Sequence, residues 1–334
     1  MKTKLQLAAL ALLLSTLIPQ HSTCFAQGSL TPPGPPAPTM KTLQQVEPRA
    51  PISSLPFTIT NSGSYYLTTN LIGPAFTAGI TIQSNVPNVT LDLNGFALVG
   101  GTSGLLAIDG TIFPGTNLVV RNGSIQNWAS GVSAGRLCRM ERLQIWNCPV
   151  FGISVLDDSV VRECAIVNCA AGVAVGVCSL IEDCLVSSNA NPQIITVLSG
   201  STVTRCTVMN NLGTGIFANG SSCCISGCRL IGNSLDGIRI SGQSLVEDNV
   251  VSGTGNALGT NACIHAALSG NRIDGNQVSS HQIGIRVDNT NNLVIRNSAF
   301  SNGTNYFIPN ANQVGPINSG TGALTNNPWA NFSL

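Results

Sequence analysis

The stretch VVRECAIVNC, residues 160–169, sets two cysteines five positions apart among short runs of apolar residues. In isolation it suggests a disulfide or a metal clip. Followed along the chain, the same spacing means something else. A Gly-aliphatic-x-aliphatic motif recurs as GVSA at 131, GISV at 152, GVAV at 172, IITV at 194, GIFA at 215, GIRI at 237, CIHA at 263 and GIRV at 284. Its second residue falls at Val132, Ile153, Val173, Ile195, Ile216, Ile238, Ile264 and Ile285, in steps of 21, 20, 22, 21, 22, 26 and 21 residues. A second column follows: Asn122, Leu143, Cys164, Cys184, Cys206, Cys228, Asn249, Asn276 and Asn297. Five residues on lies a third: Asn127, Cys148, Cys169, Asn189, Asn211, Asn233, Thr254, His281 and Asn302.

Three columns in register mark a repeat whose unit cannot bury its apolar face alone, so stacked coils share one continuous core. Each unit holds short alternating strands broken by Gly, Asn or Ser, and no 3.6-residue period or heptad runs through it. Adjacent strands stack about 4.8 Å apart, so nine or ten coils predict a rod on the order of 45 Å long. The fold class expected is all-β, a single-stranded parallel solenoid.

The pattern resembles the right-handed parallel β-helix superfamily that includes the pectate lyases, and within it exported bacterial β-helix-repeat proteins of unknown activity. The resemblance is carried by FTITNSGSYYLTTNL (57–71), VTLDLNGFALVG (89–100), the coils, and PNANQVGPINSGTGALTNNPWANF (309–332). It implies a right-handed parallel β-helix over residues 76–308, an N-terminal cap over 52–75 and a C-terminal cap over 309–334. It implies no particular mechanism.

Met-Lys-Thr-Lys followed by LQLAALALLLSTLI and CFA reads as a signal peptide over residues 1–26, hence secretion or a periplasmic address. Anchoring as a lipoprotein at Cys24 is the alternative, disfavoured by His21 at a position that wants an aliphatic residue. Residues 27–51 are Pro-rich and read as a linker. No later apolar run is long enough for a transmembrane segment. Charged residues make up 9% of the chain and the net charge is +1, which argues against a nucleic-acid partner.

In the second and third columns Cys and Asn alternate as equivalents. Cys164 and Cys169 therefore read as buried inward positions one turn apart, where a small, weakly polar thiol fits. Disulfides between neighbouring coils, Cys148–Cys169, Cys164–Cys184 or Cys206–Cys228, stay open, because export favours oxidation. A zinc site from Cys148, Cys164, Cys169 and Cys184 is disfavoured, since stacked side chains form rows and not a tetrahedron. No metal or other cofactor is expected.

Charges flank the second column, and Arg142–Glu163 and Asp183–Arg205 read as cross-coil pairs. Asp157 and Asp158 read as turn formers, and His281 as a buried hydrogen-bonding group in an Asn column. The outward position of the first strand runs Ser133, Ser154, Ala174, Thr196, Phe217, Arg239, His265 and Arg286, starting small and ending aromatic and basic. Asp288 follows two positions on, and the longest coil inserts GTGNALGTNA (253–262) just before His265. Phe217, Arg239, His265, Arg286 and Asp288 are thus the candidate substrate-binding residues, for an extended, anionic polysaccharide. Arginine forks suit carboxylates, and Phe217 offers a face for a sugar ring. The plain alternative is a solvated face whose arginines pair with Asp236 and Asp288.

Whether the chain is an enzyme stays open. In a polysaccharide lyase, His265 or an arginine would take the proton α to a uronate carboxylate. A glycoside hydrolase and a non-catalytic structural or adhesive surface protein are the other readings. Polygalacturonase motifs do not carry over: Asp157–Asp158 come first, Asn289-Thr290-Asn291 last, and Arg239-Ile240-Ser241 lacks the lysine. A calcium-dependent lyase needs more clustered carboxylates than Asp236 and Asp288.

Overall fold

A computed structural model describes residues 46–101, 104–111, 117–253, 259–320 and 325–334. The signal peptide, Cys24, most of the Pro-rich linker, Thr254 and the centre of the 253–262 insertion lie outside the described residues. From Pro48 to Leu334 the chain forms one body. Among the described residues it winds through 36 strands, in one sheet of 12 strands and one of 24.

Each full coil gives one strand to the first sheet and two to the second. The opening stretch shows how. Phe151–Val155 lies in the 12-strand sheet, and Val160–Arg162 and Ala165–Val167 in the 24-strand sheet. Three bends separate them, at Asp158, Glu163 and Asn168, with φ of 56°, 54° and 54°. Only the left-handed region turns the chain that sharply, and Asp and Asn tolerate it better than most residues. Every coil pairs with the next in parallel register: Val161 faces Met140 on one side and Ile181 on the other.

The 12-strand sheet runs from Phe57–Ile59 to Thr304–Phe307, so there are twelve coils and not nine or ten. The extra coils sit at the ends, where the Gly-aliphatic motif is missing but the pairing is not. Phe57–Ile59 pairs with Ile80–Ile82, and Tyr306 pairs with Ile285. One more register differs. Leu143 pairs with Gly123, not Asn122, because that coil steps 20 residues instead of 21. Asn122 instead lies beside Arg142 and accepts a 2.8 Å hydrogen bond from it, and in the third column Asn127 lies beside Asn147, from which it accepts a 3.2 Å hydrogen bond, and not beside Cys148.

The core is the column read from the motif. Val132, Ile153, Val173, Ile195, Ile216, Ile238, Ile264 and Ile285 are all fully buried. Each such side chain contributes roughly 1.5–3 kcal/mol of transfer free energy. The motif glycine has a packing reason. A Cβ on Gly152 would meet the Gly172 carbonyl at 2.7 Å and run into Ile166.

Inward polar groups at the bends bond from coil to coil. The Asn249 N–H donates to Asn276 Oδ1, Asn276 N–H to Asn297 Oδ1 and Asn297 N–H to Asn331 Oδ1, at 2.9–3.0 Å. A further row at the remaining bend escapes the sequence reading: Ser159, Ser179, Ser201, Ser244, Asn271, Asn292 and Asn312 bond backbone N–H groups in the same way. Cysteine occupies the first half of these columns. All eleven cysteines from Cys138 onward are free thiols, nine of them buried. Each of Cys164, Cys184, Cys206 and Cys228 donates to the carbonyl two residues before it, at 3.2–3.4 Å. Burial pushes the Cys263 thiol up to about 12 and the Cys138 thiol up to about 11.

Outside, the charge pairs fall where the spacing puts them: Arg205 bonds Asp183 at 2.8 Å, and Arg142 lies 3.6 Å from Glu163. Asp157 and Asp158 share Arg136, and Asp157 also accepts the Val177 N–H at 3.0 Å.

Candidate functional site

The outward row of the 12-strand sheet is continuous. Thr196 pairs with Phe217, Phe217 with Arg239, Arg239 with His265, and His265 with Arg286. It then continues to Phe307, which pairs with Arg286 and is 51% exposed. Phe307 is a residue that sequence reasoning missed. It sits in TNYF, which lacks the motif glycine, so its register was not visible. Four coil steps of about 4.8 Å separate the two phenylalanines, about 19 Å in all.

Arg239 is exposed, and its guanidinium lies 5.8 Å from the centre of the Phe217 ring. Among the described residues it forms no ion pair. Cation–π contact at that distance orients the guanidinium along the row without neutralising it.

His265 is different. It is only 6% exposed although it points outward. Its Nδ1 lies 2.9 Å from Asp236 Oδ2 and its Nε2 2.8 Å from Asp288 Oδ2. Burial disfavours the imidazolium, but hydrogen bonds and charge from Asp236 and then Asp288 more than offset this, and the His265 pKa rises above its ordinary value. In the protonated form, with a carboxylate at each nitrogen, both N–H groups donate. Asp288 shows the reciprocal effect: burial pushes it up, His265 and Arg286 pull it down further, and the net shift is downward.

The cluster also holds the edge of the insertion. Arg286 Nε donates to Asp288 Oδ1 and its Nη1 to the Thr260 carbonyl, both at 2.6 Å. The Ala262 N–H donates to Asp236 Oδ1 at 2.7 Å. The plain alternative is therefore half realised. Asp288 pairs with Arg286, whereas Asp236 is taken by His265 and not by an arginine. Asp236 stands 29 residues before His265, on the bend that opens the preceding coil, which is why spacing alone did not connect them.

His281 stays out of this group. Its Nδ1 accepts the Gln282 N–H at 2.9 Å, so its Nε2–H donates to the Leu235 carbonyl at 3.0 Å. It is a buried hydrogen-bonding residue.

Well-formed hollows lie on other faces. One of about 390 Å³ is lined by Asn291–Leu293 and Ala311–Gln313, and one of about 400 Å³ surrounds Trp146.

Comparison with known proteins agrees with this architecture. The family described as "Right handed beta helix region" matches residues 194–327. The A-module of the mannuronan C-5 epimerase AlgE4 from Azotobacter vinelandii superposes with a TM-score of 0.56, at 10% identity, over 81% of this chain and 86% of that one. The AlgE6 A-module from the same organism gives 0.48 at 11% identity, over 82% and 91%. The tailspike protein of E. coli bacteriophage HK620, in complex with a hexasaccharide, gives 0.40 at 14% identity, over 86% and 72%. No curated protein matches in sequence. The chain has the right-handed parallel β-helix fold.

Proposed function

We propose that the protein binds an extended, anionic polysaccharide along the row Phe217–Arg239–His265–Arg286–Phe307, outside the cytoplasm. The observation that carries this reading is Arg239, exposed and free of any carboxylate partner among the described residues, set in register between aromatic residues. The coil spacing of about 4.8 Å repeats contacts at roughly the rise of one sugar. The charge balance is narrow. Arg239 and Arg286 offset Asp236 and Asp288, so the row carries one positive charge in excess only when His265 is protonated. Affinity for an anion therefore rests mainly on Arg239. The AlgE4 module shares the fold and, by its name, acts on mannuronan; at 10% identity it lends no residue roles.

Binding is favoured over lyase or hydrolase chemistry for a geometric reason. A histidine base needs a free nitrogen within reach of the substrate proton, and both His265 nitrogens are occupied by carboxylates, which counts against His265 in that role. A glycan array combined with a polysaccharide-degradation screen tests the reading. Retention of uronate-containing glycans without product, weakened in Arg239→Ala, is the expected outcome. Product formation abolished in His265→Ala would establish an enzyme instead, and neither binding nor product would leave a spacer or adhesive role.

A further inference from the structure

We infer that the protein carries a second sugar-binding subsite, on the outward face of the 24-strand sheet around Trp146, and that its ligand is a neutral pyranose chain. Trp146 ends the strand Arg139–Trp146 and points outward, half-buried, between Gln126 of one coil and Val167 of the next. The core does not need it there, since Trp128 already fills the interior of this region and is fully buried. A hollow of about 400 Å³ opens beside the indole, with Gln144, Asn147, Ala165, Val167 and Asn168 as its other side-chain walls. Ala165 and Val167 are small enough to leave one flank of the ring uncovered.

The polar groups around it are amides. Asn168 Nδ2 donates to Asn147 Oδ1 at 2.7 Å, and Asn147 Nδ2 donates to Asn127 Oδ1 at 3.2 Å. Each amide nitrogen keeps a second hydrogen. Gln144 is exposed, and among the described residues its amide has no hydrogen-bond partner. An aromatic face for the apolar side of a sugar, flanked by amides for its hydroxyls, is the chemistry that recognises a neutral pyranose. No ionisable side chain lines the hollow. Arg142, in the adjoining hollow, is engaged by Glu163. The asparagines have a backbone reason to be present, since Asn147 and Asn168 sit at φ of 58° and 54°. That reason covers neither the outward tryptophan nor Gln144. This subsite does not depend on the Arg239 row and stands or falls separately.

The test is titration of the purified protein with neutral hexasaccharides of β-1,4-linked glucose, xylose and mannose and of α-1,4-linked glucose, by calorimetry and saturation-transfer NMR. At least one should bind with a Kd below about 1 mM. Trp146→Ala should weaken that binding at least about tenfold. Ala165→Glu, which keeps the indole but fills the hollow, should do the same, while Arg239→Ala should leave it unchanged. Ala165→Glu keeps the test decisive if Trp146→Ala does not fold. Failure of all four sugars to bind at about 10 mM would overturn the inference, as would binding that survives Ala165→Glu or is lost instead in Arg239→Ala.

Discussion

The two halves of the rod share one backbone and differ both inside and out. In the coils before Phe217 the bend columns are rich in buried thiols, and the outward row of the 12-strand sheet is Ser133, Ser154, Ala174 and Thr196. In the later coils the second column turns to Asn249, Asn276 and Asn297, and the outward row becomes aromatic and basic. A thiol gives its neighbours one weak donor. A carboxamide gives two donors and an acceptor, so it ties three coils together where a cysteine offers a single weak thiol donor. The half whose second column is amide is the half whose outward row on the 12-strand sheet carries charge. Stiff coils hold outward side chains at fixed intervals, which a repeated ligand requires.

The largest effect expected from breaking this contrast is inside the amide half. Asn276 Nδ2 donates to Val246 O and Asn297 Oδ1, and its Oδ1 accepts from the Asn249 backbone and side chain. Asn276→Ala strands several buried groups and should cost roughly 3–5 kcal/mol. Chemical denaturation followed by circular dichroism measures it. The matching change in the thiol half, Cys206→Ala, should cost only about 1 kcal/mol, the loss of one small buried group. Equal losses would erase the distinction between the halves.

Outside, Phe307→Ala should leave stability within about 0.5 kcal/mol, because the ring is exposed. It should weaken polysaccharide binding by about threefold to tenfold, whereas Ser154→Ala, on the plain half of the same sheet, should change nothing. Affinity electrophoresis in gels containing alginate or polygalacturonate compares the two directly.

The smallest effect is a pH dependence. The His265 pKa is raised in the folded protein, so its bridge contributes fully below about 6.5, the unfolded value. That contribution disappears as pH climbs through the higher folded value. Asp288 has the opposite sign: its contribution is present above about 3.9 and is lost as pH falls through its lowered folded pKa. His265→Gln should therefore flatten the neutral-to-alkaline limb of a melting-temperature profile. Identical limbs in the two proteins would mean that the imidazole bridge adds nothing to stability.

What could be read from the chain follows from where each signal lies. Eight coils announce themselves through the aliphatic-x-aliphatic pattern, and six of them also carry a motif glycine where the next coil's carbonyl approaches as closely as Gly172 O approaches Gly152. The terminal coils replace that glycine, so Phe307 could not be placed in the row. Arg239, His265 and Arg286 were aligned correctly because strand register passes directly from one motif to the next. The partnership of His265 with Asp236 was not legible, because it joins an outward strand residue to a bend in another coil. The row of Ser159 to Asn312 was hidden by the commonness of serine and asparagine in any turn.

The central claim is that the Phe217–Phe307 face recognises an anionic polysaccharide through Arg239. Its most direct test is isothermal titration with polygalacturonate and alginate oligomers, at low salt and again at about 0.3 M salt, for the native protein and Arg239→Ala. Binding should weaken with salt and fall about tenfold or more in the variant, as expected for an exposed charge contact. Equal affinity in the two proteins, or no affinity for either polymer, would contradict it.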